Sequence, residues 1–332
     1  MHSFSYARAQ RPDEAVRLAT QDEATYIAGG TELLNWMRLG IEAPARLLDI
    51  GRVEGMHGIL REGDALVIGA LTTLNEIGEN PLVREYAPVL AQACLKAASA
   101  QIRNRATLGG NVLQKTRCAY FRAESPLPWS CNKRAPGSGC SALDGHHERL
   151  AIFGWTDACV ATQPSDPAVA LACLDAEVRV SGTNGKRVIK AADFHVTPEI
   201  DARVETRLMP GELITAFSVP TSALTRRSAY VKVRERESYE YAMVSAAAAL
   251  DLDGTRVRAA RLALGSVAMK PWRLEKAERA LVGQMAERAA LSAAVSVAMR
   301  DARPLAHNAF KITLATNAAV RALELAARGG AA

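Results

Sequence analysis

The chain has 332 residues, 49% of them hydrophobic and 23% charged, with a formal net charge of +6. That length allows about two domains with real cores, and the composition is that of an ordinary soluble globular protein. The basic excess is spread thinly rather than gathered into a patch or stripe, which argues against nucleic-acid or membrane-surface binding, and no run of about 18 apolar residues is present to span a membrane.

In chain order, residues 12–19 have helical spacing. Residues 25–28 read as a short strand that runs into Gly29-Gly30-Thr31 and a helix over 32–39, and 46–50 reads as another strand. This alternation predicts an α/β unit. A further strand is expected at 66–70, and one long apolar helix over 83–100 that ends before a second glycine turn at 107–111. Residues 115–150 carry three cysteines, several prolines and glycines and little periodicity. Such a stretch is too long for a structureless loop unless a bound group orders it. After a linker at 221–227, strands are expected at 229–233, 242–250 and 257–267, then helices at 273–281, 286–300 and 310–328. Strands followed by a run of helices suggest a separate α+β domain.

Two glycine turns carry the first chemical signal. In Ala28-Gly29-Gly30-Thr31-Glu32-Leu33-Leu34 the glycines sit between a strand and a helix start. Glycine lets the backbone approach a ligand and take positive φ, the N–H groups of the next helix attract phosphate, and Thr31 can cap the helix or donate to a phosphate oxygen. Thr107-Leu108-Gly109-Gly110-Asn111 repeats that chemistry. Either alone reads as an ordinary tight turn, whereas the two together suit a pyrophosphate gripped from both sides. Neither has the GxGxxG spacing, so a Rossmann fold is not indicated.

The six cysteines are Cys94, Cys118, Cys131, Cys140, Cys159 and Cys173. The N-terminal MHSFSYARAQ lacks the charged start and apolar stretch of a secretory signal, so disulfides are not the default and metal or cluster binding competes. Cys118, Cys131, Cys140 and Cys159 lie within 42 residues, separated by 12, 8 and 18 residues. Four thiolates are what an iron–sulfur cluster requires and equally suit tetrahedral zinc, although the CxxC pairs usual in zinc sites are missing. Lys115, Arg117, Arg122, Lys133 and Arg134 lie around three of them, where they would offset a cluster's negative charge or simply be solvated. His146 and His147 adjoin the loop and are read as solvated rather than as alternative ligands, while Cys94 and Cys173 sit in apolar helical surroundings and read as core.

These motifs bear a resemblance that covers roughly residues 3–325. The 28–34 and 107–111 turns resemble the first and second flavin loops of the xanthine dehydrogenase and carbon monoxide dehydrogenase flavoprotein family. Pro164-Ser165-Asp166 resembles its Ser-Asp near the flavin, Tyr230-Val231-Lys232-Val233-Arg234 its lysine-bearing strand, and Lys270-Pro271-Trp272-Arg273 its Pro-x-Arg turn. The resemblance implies an α+β protein: a two-part, non-Rossmann FAD-binding α/β domain over 1–222, with subdomains of about 1–55 and 56–222, then a smaller α+β C-terminal domain over 227–328. Ala28, Gly29, Gly30, Thr31, Glu32, Leu33 and Leu34 would wrap the FAD pyrophosphate, and Thr107, Gly110 and Asn111 would hold its other side. Asp166 would lie near the ribityl chain or ring, and Lys232 close to the isoalloxazine, where a cation favours negative charge on reduced flavin.

The cysteine-rich insertion, 115–160, resembles a subset of that family, the flavin subunits of three-subunit bacterial aldehyde oxidoreductases. Its Arg117-Cys118, Cys131-Asn132-Lys133-Arg134 and Pro136-Gly137-Ser138-Gly139-Cys140 stretches carry the match. By that resemblance the four cysteines bind a [4Fe–4S] cluster, Cys159 being the least securely placed ligand. The chain would then pass electrons from a molybdenum-cofactor large subunit and a [2Fe–2S] small subunit through FAD to an external acceptor. The heterotrimer would be periplasmic, co-exported with a signal-bearing partner, or else cytoplasmic. No residue has the look of a substrate base or nucleophile. Tyr239 and Tyr241, following Lys232, are expected near the flavin ring, where one of them would obstruct a nicotinamide. The competing readings are a self-contained FAD oxidase and a zinc-binding interaction module.

Overall fold

The computed structural model describes residues 2–199 and 201–329. Met1, with which the expected span 1–222 begins, lies outside the described residues. The N-terminal part opens with β1 (Ser5–Arg8), α1 (Pro12–Gln21), β2 (Thr25–Ile27), α2 (Leu33–Arg38) and β3 (Arg46–Asp49). Both outer strands pair in parallel with β3, giving a small sheet of order β1-β3-β2. Parallel pairing needs crossover connections. Here α1 carries the chain from β1 past the β3 position to β2, its Ala15, Val16 and Ala19 buried on one face, and α2 returns it to β3.

The second part begins with β4 (Ile59–Glu62) and β5 (Ala65–Gly69), followed by α3 (Leu74–Glu79), α4 (Pro81–Tyr86), α5 (Pro88–Lys96), α6 (Ala100–Arg103) and α7 (Leu108–Val112). The single helix expected over 83–100 is therefore broken. Pro88 has no N–H and disfavours helical geometry at the preceding residue, and Ala87 sits at φ −148°, ψ 56°. A second break falls at Ala98, with φ +46°. The glycine turn expected at 107–111 is in fact a Thr107 cap followed by the first turn of α7.

After a long stretch without regular helix or strand come α8 (Asp166–Cys173), β6 (Glu177–Gly182), β7 (Gly185–Lys190), α9 (Ala191–Phe194) and β8 (Leu213–Pro220). The sequence reading did not anticipate these three strands, which complete an antiparallel sheet of order β4-β5-β8-β6-β7. The segment read as a linker holds a short helix, α10 (Ala223–Arg226), started by a reciprocal Ser222–Thr225 capping box.

The C-terminal part has β9 (Ser228–Val233), β10 (Val244–Asp253), β11 (Arg256–Gly265), β12 (Trp272–Arg273), α11 (Glu275–Leu281), α12 (Arg288–Met299) and α13 (Phe310–Ala327). Its antiparallel sheet has the order β12-β11-β10-β9. Successive strand residues point to opposite faces, and here the alternation divides one strand between two cores. Val244, Ala246, Ala248 and Leu250 join the core under α11–α13, whereas Ala247 and Ala249 join the core of the N-terminal part. Alanine on both faces lets α13 pack on one side while α5 and α8 pack on the other. The sheet is thus a wall shared by the two parts, and the residues at its β9 end stand directly behind the site.

Candidate cofactor site

A cleft of about 1040 Å³ runs between the glycine turns and the start of the C-terminal sheet. That lies at the top of the range for small-molecule sites and suits a dinucleotide-sized ligand. Of the residues expected to bind cofactor, Ala28, Gly29, Gly30, Thr31, Glu32, Leu33, Thr107, Gly110, Asn111 and Asp166 all line it. Leu34 and Lys232 do not. Leu34 points outward and is 43% exposed.

The first turn is shaped by contacts only glycine allows. A Cβ on Gly29 would lie 1.9 Å from the Arg105 carbonyl oxygen, and Gly30 has φ +74°. The backbone at 29–30 is therefore pressed against the backbone at 105 and presents nothing bulkier than its own amides to the cleft. Helix α2, with six residues, is too short for its dipole to dominate, so the local N–H groups set the polarity. Thr31 does not cap it: the N-cap is Glu32, with no side-chain cap bond, and the Thr31 carbonyl accepts from Asn35 Nδ2.

Glu32 lines the cleft, but its carboxylate faces the cysteine loop. It accepts from Trp36 Nε1 at 2.8 Å, from Arg117 Nη2 at 2.8 Å, and from Arg122 Nη2. The sequence reading set Arg117 and Arg122 aside as compensation for cluster charge, whereas in the fold they neutralise this carboxylate. The Arg117 guanidinium also lies 4.2 Å from the centre of the Tyr241 ring, a cation–π distance.

In the second turn Gly109 faces inward, where an added Cβ would lie 3.2 Å from Ala70, while Gly110 and Asn111 face the cleft. Thr107 Oγ1 accepts from Gly110 N. Ser165 Oγ donates to Asn111 Oδ1 at 2.7 Å, leaving the amide nitrogen of Asn111 as the atom available to a ligand. Ser165 also caps α8 by accepting from Ala168 N, so one side chain fixes both the helix and the amide.

Asp166 opens α8 and is the buried end of the cleft. Tyr230 Oη donates to its Oδ1 at 2.6 Å and Lys232 Nζ to its Oδ2 at 2.8 Å. Lys232 is 1% exposed and also donates to the Lys96 carbonyl. It stands behind Asp166 rather than on the cleft wall. Burial pushes the Tyr230 hydroxyl well above its ordinary value and the Asp166 charge adds to this, so the phenol is a fixed donor. Lys96 is lowered mainly by burial and then by the Arg234 cation. Tyr239, Glu240 and Tyr241 also line the cleft, the two tyrosines partly exposed to solvent.

Cys118, Cys131 and Cys159 share one buried cluster with Phe121, Leu150 and Met269, and the half-buried Cys140 packs against it. Cys131 and Cys140 pair through an isolated antiparallel bridge. Burial, more than any other influence, pushes Cys118 up to about 11 and Cys159 up to about 12. Each is raised further by neighbouring loop thiols and lowered in part, Cys118 by the backbone N–H groups of Phe121 and Tyr120, and Cys159 by the Lys133 cation and then the N–H of Ala161. Among the described residues, no three Cys, His, Asp or Glu side chains converge as a single metal ion would need.

His147 corrects the expectation of a solvated loop residue. It is 2% exposed, one ring nitrogen contacts the Ala142 carbonyl, and the other accepts from His307 N. His146 is exposed at 91% of its side chain. Cys94 and Cys173 are fully buried core residues, as read. Gln163 and His195 escaped the sequence reading. Gln163 Nε2 donates to the Val112 and Gln114 carbonyls and so ties the end of α7 to the Ser165 cap; only its place just before Pro164-Ser165-Asp166 could have pointed to it.

A cleft of dinucleotide size, edged by two glycine-bearing turns and closed by a buried aspartate–lysine pair, defines a flavin- or nucleotide-binding protein of non-Rossmann type. Comparison with known proteins narrows the class. Residues 2–222 match the FAD binding domain in molybdopterin dehydrogenase, and residues 229–326 match the CO dehydrogenase flavoprotein C-terminal domain. The chain is 43% identical over 318 residues to the aldehyde oxidoreductase FAD-binding subunit PaoB of Escherichia coli (strain K12), with 95% of each chain covered. It is 28% identical to the carbon monoxide dehydrogenase medium chain of Afipia carboxidovorans, covering 89% of this chain and 85% of that one. Among solved structures, carbon monoxide dehydrogenase from Hydrogenophaga pseudoflava superposes with a TM-score of 0.77 at 27% identity over 99% of both chains. The chain belongs to the FAD-binding medium subunits of the molybdenum hydroxylase family, and is an oxidoreductase subunit of that type. The expected α+β fold, with a non-Rossmann flavin domain followed by a smaller C-terminal domain, is the fold of that family.

Proposed function

We propose that this chain is the electron-transfer subunit of a molybdenum-dependent aldehyde oxidoreductase, holding FAD in the cleft and a [4Fe–4S] cluster on Cys118, Cys131, Cys140 and Cys159. The observation that carries the reading is the cleft, lined by Gly29, Gly30, Gly110 and Asn111 from both turns and by the buried Asp166. Bound FAD supplies a centre that takes electrons in pairs and can release them singly. The chain's own residues do the positioning. The glycine turns leave room for the pyrophosphate, Asn111 offers a donor, and the Tyr230–Asp166–Lys232 set gives the inner end a fixed polar wall. Tyr239 and Tyr241 narrow the mouth.

The cluster reading is supported by Cys118, Cys131 and Cys159 lying in one buried apolar cluster with Cys140 packed against it. Backbone N–H groups directed at two of the sulfurs suit a charged centre. In this reading the partners are a large molybdenum-cofactor subunit and a small [2Fe–2S] subunit, which deliver electrons, and an external acceptor receives them. The proposed compartment is periplasmic, reached by co-export with a signal-bearing partner, and fractionation that finds the complex only in the cytoplasm would overturn that part.

The test is an absorption spectrum of anaerobically purified protein, with released flavin, iron and acid-labile sulfide quantified. One FAD and about four irons and four sulfides per chain are expected. FAD without iron would remove the cluster from the reading, and a colourless, zinc-containing protein would overturn it.

A further inference from the structure

Residues 113–165 contain no regular helix or strand, so side chains must fasten this stretch to the rest of the molecule. Several of them converge on α2, the helix that follows the first glycine turn. At one end, Arg117 and Arg122 donate to Glu32. At the other, Arg134 Nη2 and Ser125 Oγ donate to the Gly40 carbonyl at 3.2 and 3.3 Å, and Ser125 N to the Leu39 carbonyl. Between them, Lys115 Nζ lies 5.3 Å from the centre of the Trp36 ring. The helix is gripped along its whole length by the segment that carries Cys118 and Cys131.

Arg117 has a further role in this arrangement. It lines the cleft, pairs with Glu32 after the glycine turn, and lies against the ring of Tyr241, another lining residue. It is also the residue immediately before Cys118. A guanidinium is planar and always charged, so it can make the ion pair and the ring contact together. The Glu32–Arg117–Arg122 set carries one negative and two positive charges, and its surplus cation faces a cleft that would receive a diphosphate.

We propose that Arg117, with Arg122 and Glu32, couples flavin binding to assembly of the cysteine-loop centre, so that each cofactor strengthens the hold on the other. The inference rests on the reading of both cofactor sites given above. When four thiolates are drawn onto a common centre, Cys118 is fixed, and with it the Arg117 guanidinium that lies against Tyr241 at the cleft. When the centre is lost, the side-chain fasteners remain but the backbone at Cys118 is no longer fixed, and the guanidinium of Arg117 next to it is held less firmly. Arg117 is a positioning residue: it touches the cleft and sets the glycine turn but takes no part in electron transfer.

The coupling is read at equilibrium, because a reciprocal effect between two sites is a difference in binding free energies. The full chain, purified anaerobically and free of the iron-bearing small subunit, so that all iron counted belongs to this chain, is compared before and after removal of iron with a ferrous-iron chelator. The FAD dissociation constant of each form is measured by flavin fluorescence. Iron removal is expected to weaken FAD binding about tenfold, the low end of what one hydrogen bond to a charged group contributes. Arg117→Met is expected to weaken FAD binding by a similar factor with iron still bound, and iron removal then adds little. Arg117→Lys, which keeps the charge but not the planar contact, should fall between the two. Equal FAD affinity with and without iron in the unmodified protein would overturn the coupling while leaving both cofactor sites standing. A full additional loss on iron removal from Arg117→Met would show that Arg117 does not carry it. Unmodified protein that contains no iron would overturn the cluster reading and this inference together. The chelation arm needs no variant, so a variant that fails to fold leaves the proposal decidable.

Discussion

Lys232→Met removes the ammonium from a pair whose side chains are only 1% and 6% exposed and whose separation is 2.8 Å. Methionine fills a similar volume, so the cavity contribution is small. What remains is the Asp166 carboxylate with Tyr230 still donating to it but no cation in contact. Removing one member of a buried pair costs about 3–5 kcal/mol, because the other charge is stranded. Lys96 interacts electrostatically with Asp166 and offsets part of the loss, which places the expected cost near 3 kcal/mol, the lower end of that range. At about 2 °C per kcal/mol for a chain of this size, Tm falls by about 6 °C. The assay is thermal unfolding near neutral pH, with and without saturating FAD, since ligand binding itself raises Tm. Asp166→Asn in the same background removes the stranded charge and should restore most of the loss, giving a large favourable coupling in the double-mutant cycle. A single variant within about 1 °C of the parent, or a double variant no better than the single, would refute the assignment of Lys232 as the counter-ion of Asp166.

Three further expectations follow from the same geometry. Gly29→Ala places a methyl group 1.9 Å from the Arg105 carbonyl oxygen, a backbone atom that cannot swing away, so flavin content per purified chain should fall by about tenfold while the far-UV spectrum is kept; full flavin content would show that the turn has room. Lys311 is fully buried, with its ammonium donating to the carbonyls of Arg149, Leu150 and Ser266, and burial, aided by the Arg149 charge, lowers it from 10.5 to about 7. Between those values the unfolded chain holds a proton that the folded chain lacks, so stability should rise with pH across that window, by up to about 1.4 kcal/mol per unit, and Lys311→Met should lose that rise; matching pH profiles would refute it. Tyr239→Ala with Tyr241→Ala opens the mouth of the cleft, and steady-state assays should show NAD reduction rising severalfold relative to quinone or ferredoxin, whereas efficient NAD reduction by the parent would show that the tyrosines do not exclude it.

The parts of the site legible in the sequence are those whose chemistry is local. Glycine at positions 29, 30 and 110 and asparagine at 111 announce a backbone that must approach a ligand, and the structure brings them to one cleft. The division of labour behind them was not legible, because the partners are far apart in the chain. Glu32 meets Arg117 and Arg122 across 85 and 90 residues, and Lys232 meets Asp166 across 66. Spacing carries no information about such pairs. The break at Pro88 was legible, since a proline after five helical residues restricts Ala87, but the apolar run on both sides masked it. Strands β6 and β7 were missed: β6 alternates, with Val178 and Val180 buried, but over only two apolar positions, and β7 sets an exposed Val188 beside a buried Ile189 and shows no period of two.

The shared sheet explains why a cofactor site built from distant segments can still be rigid. Tyr230, on the face of β9 turned toward the N-terminal core, reaches Asp166, while its neighbour Ala229 packs under the C-terminal helices. Moving β9 by one residue would exchange those faces and place a small side chain opposite Asp166. The register of β9 against β10, with Tyr230 opposite Ala247 and Lys232 opposite Ser245, therefore sets the polar wall of the cleft as well as the packing of the C-terminal part. The alanines of β10 leave no bulk on either face to compete with that register. The C-terminal part thus acts as the piece that delivers Tyr230 and Lys232 to Asp166 from behind and Tyr239 and Tyr241 to the mouth from in front. A flavin held between those two contributions would be gripped by both parts of the chain at once, which ties their relative position to occupancy of the cleft.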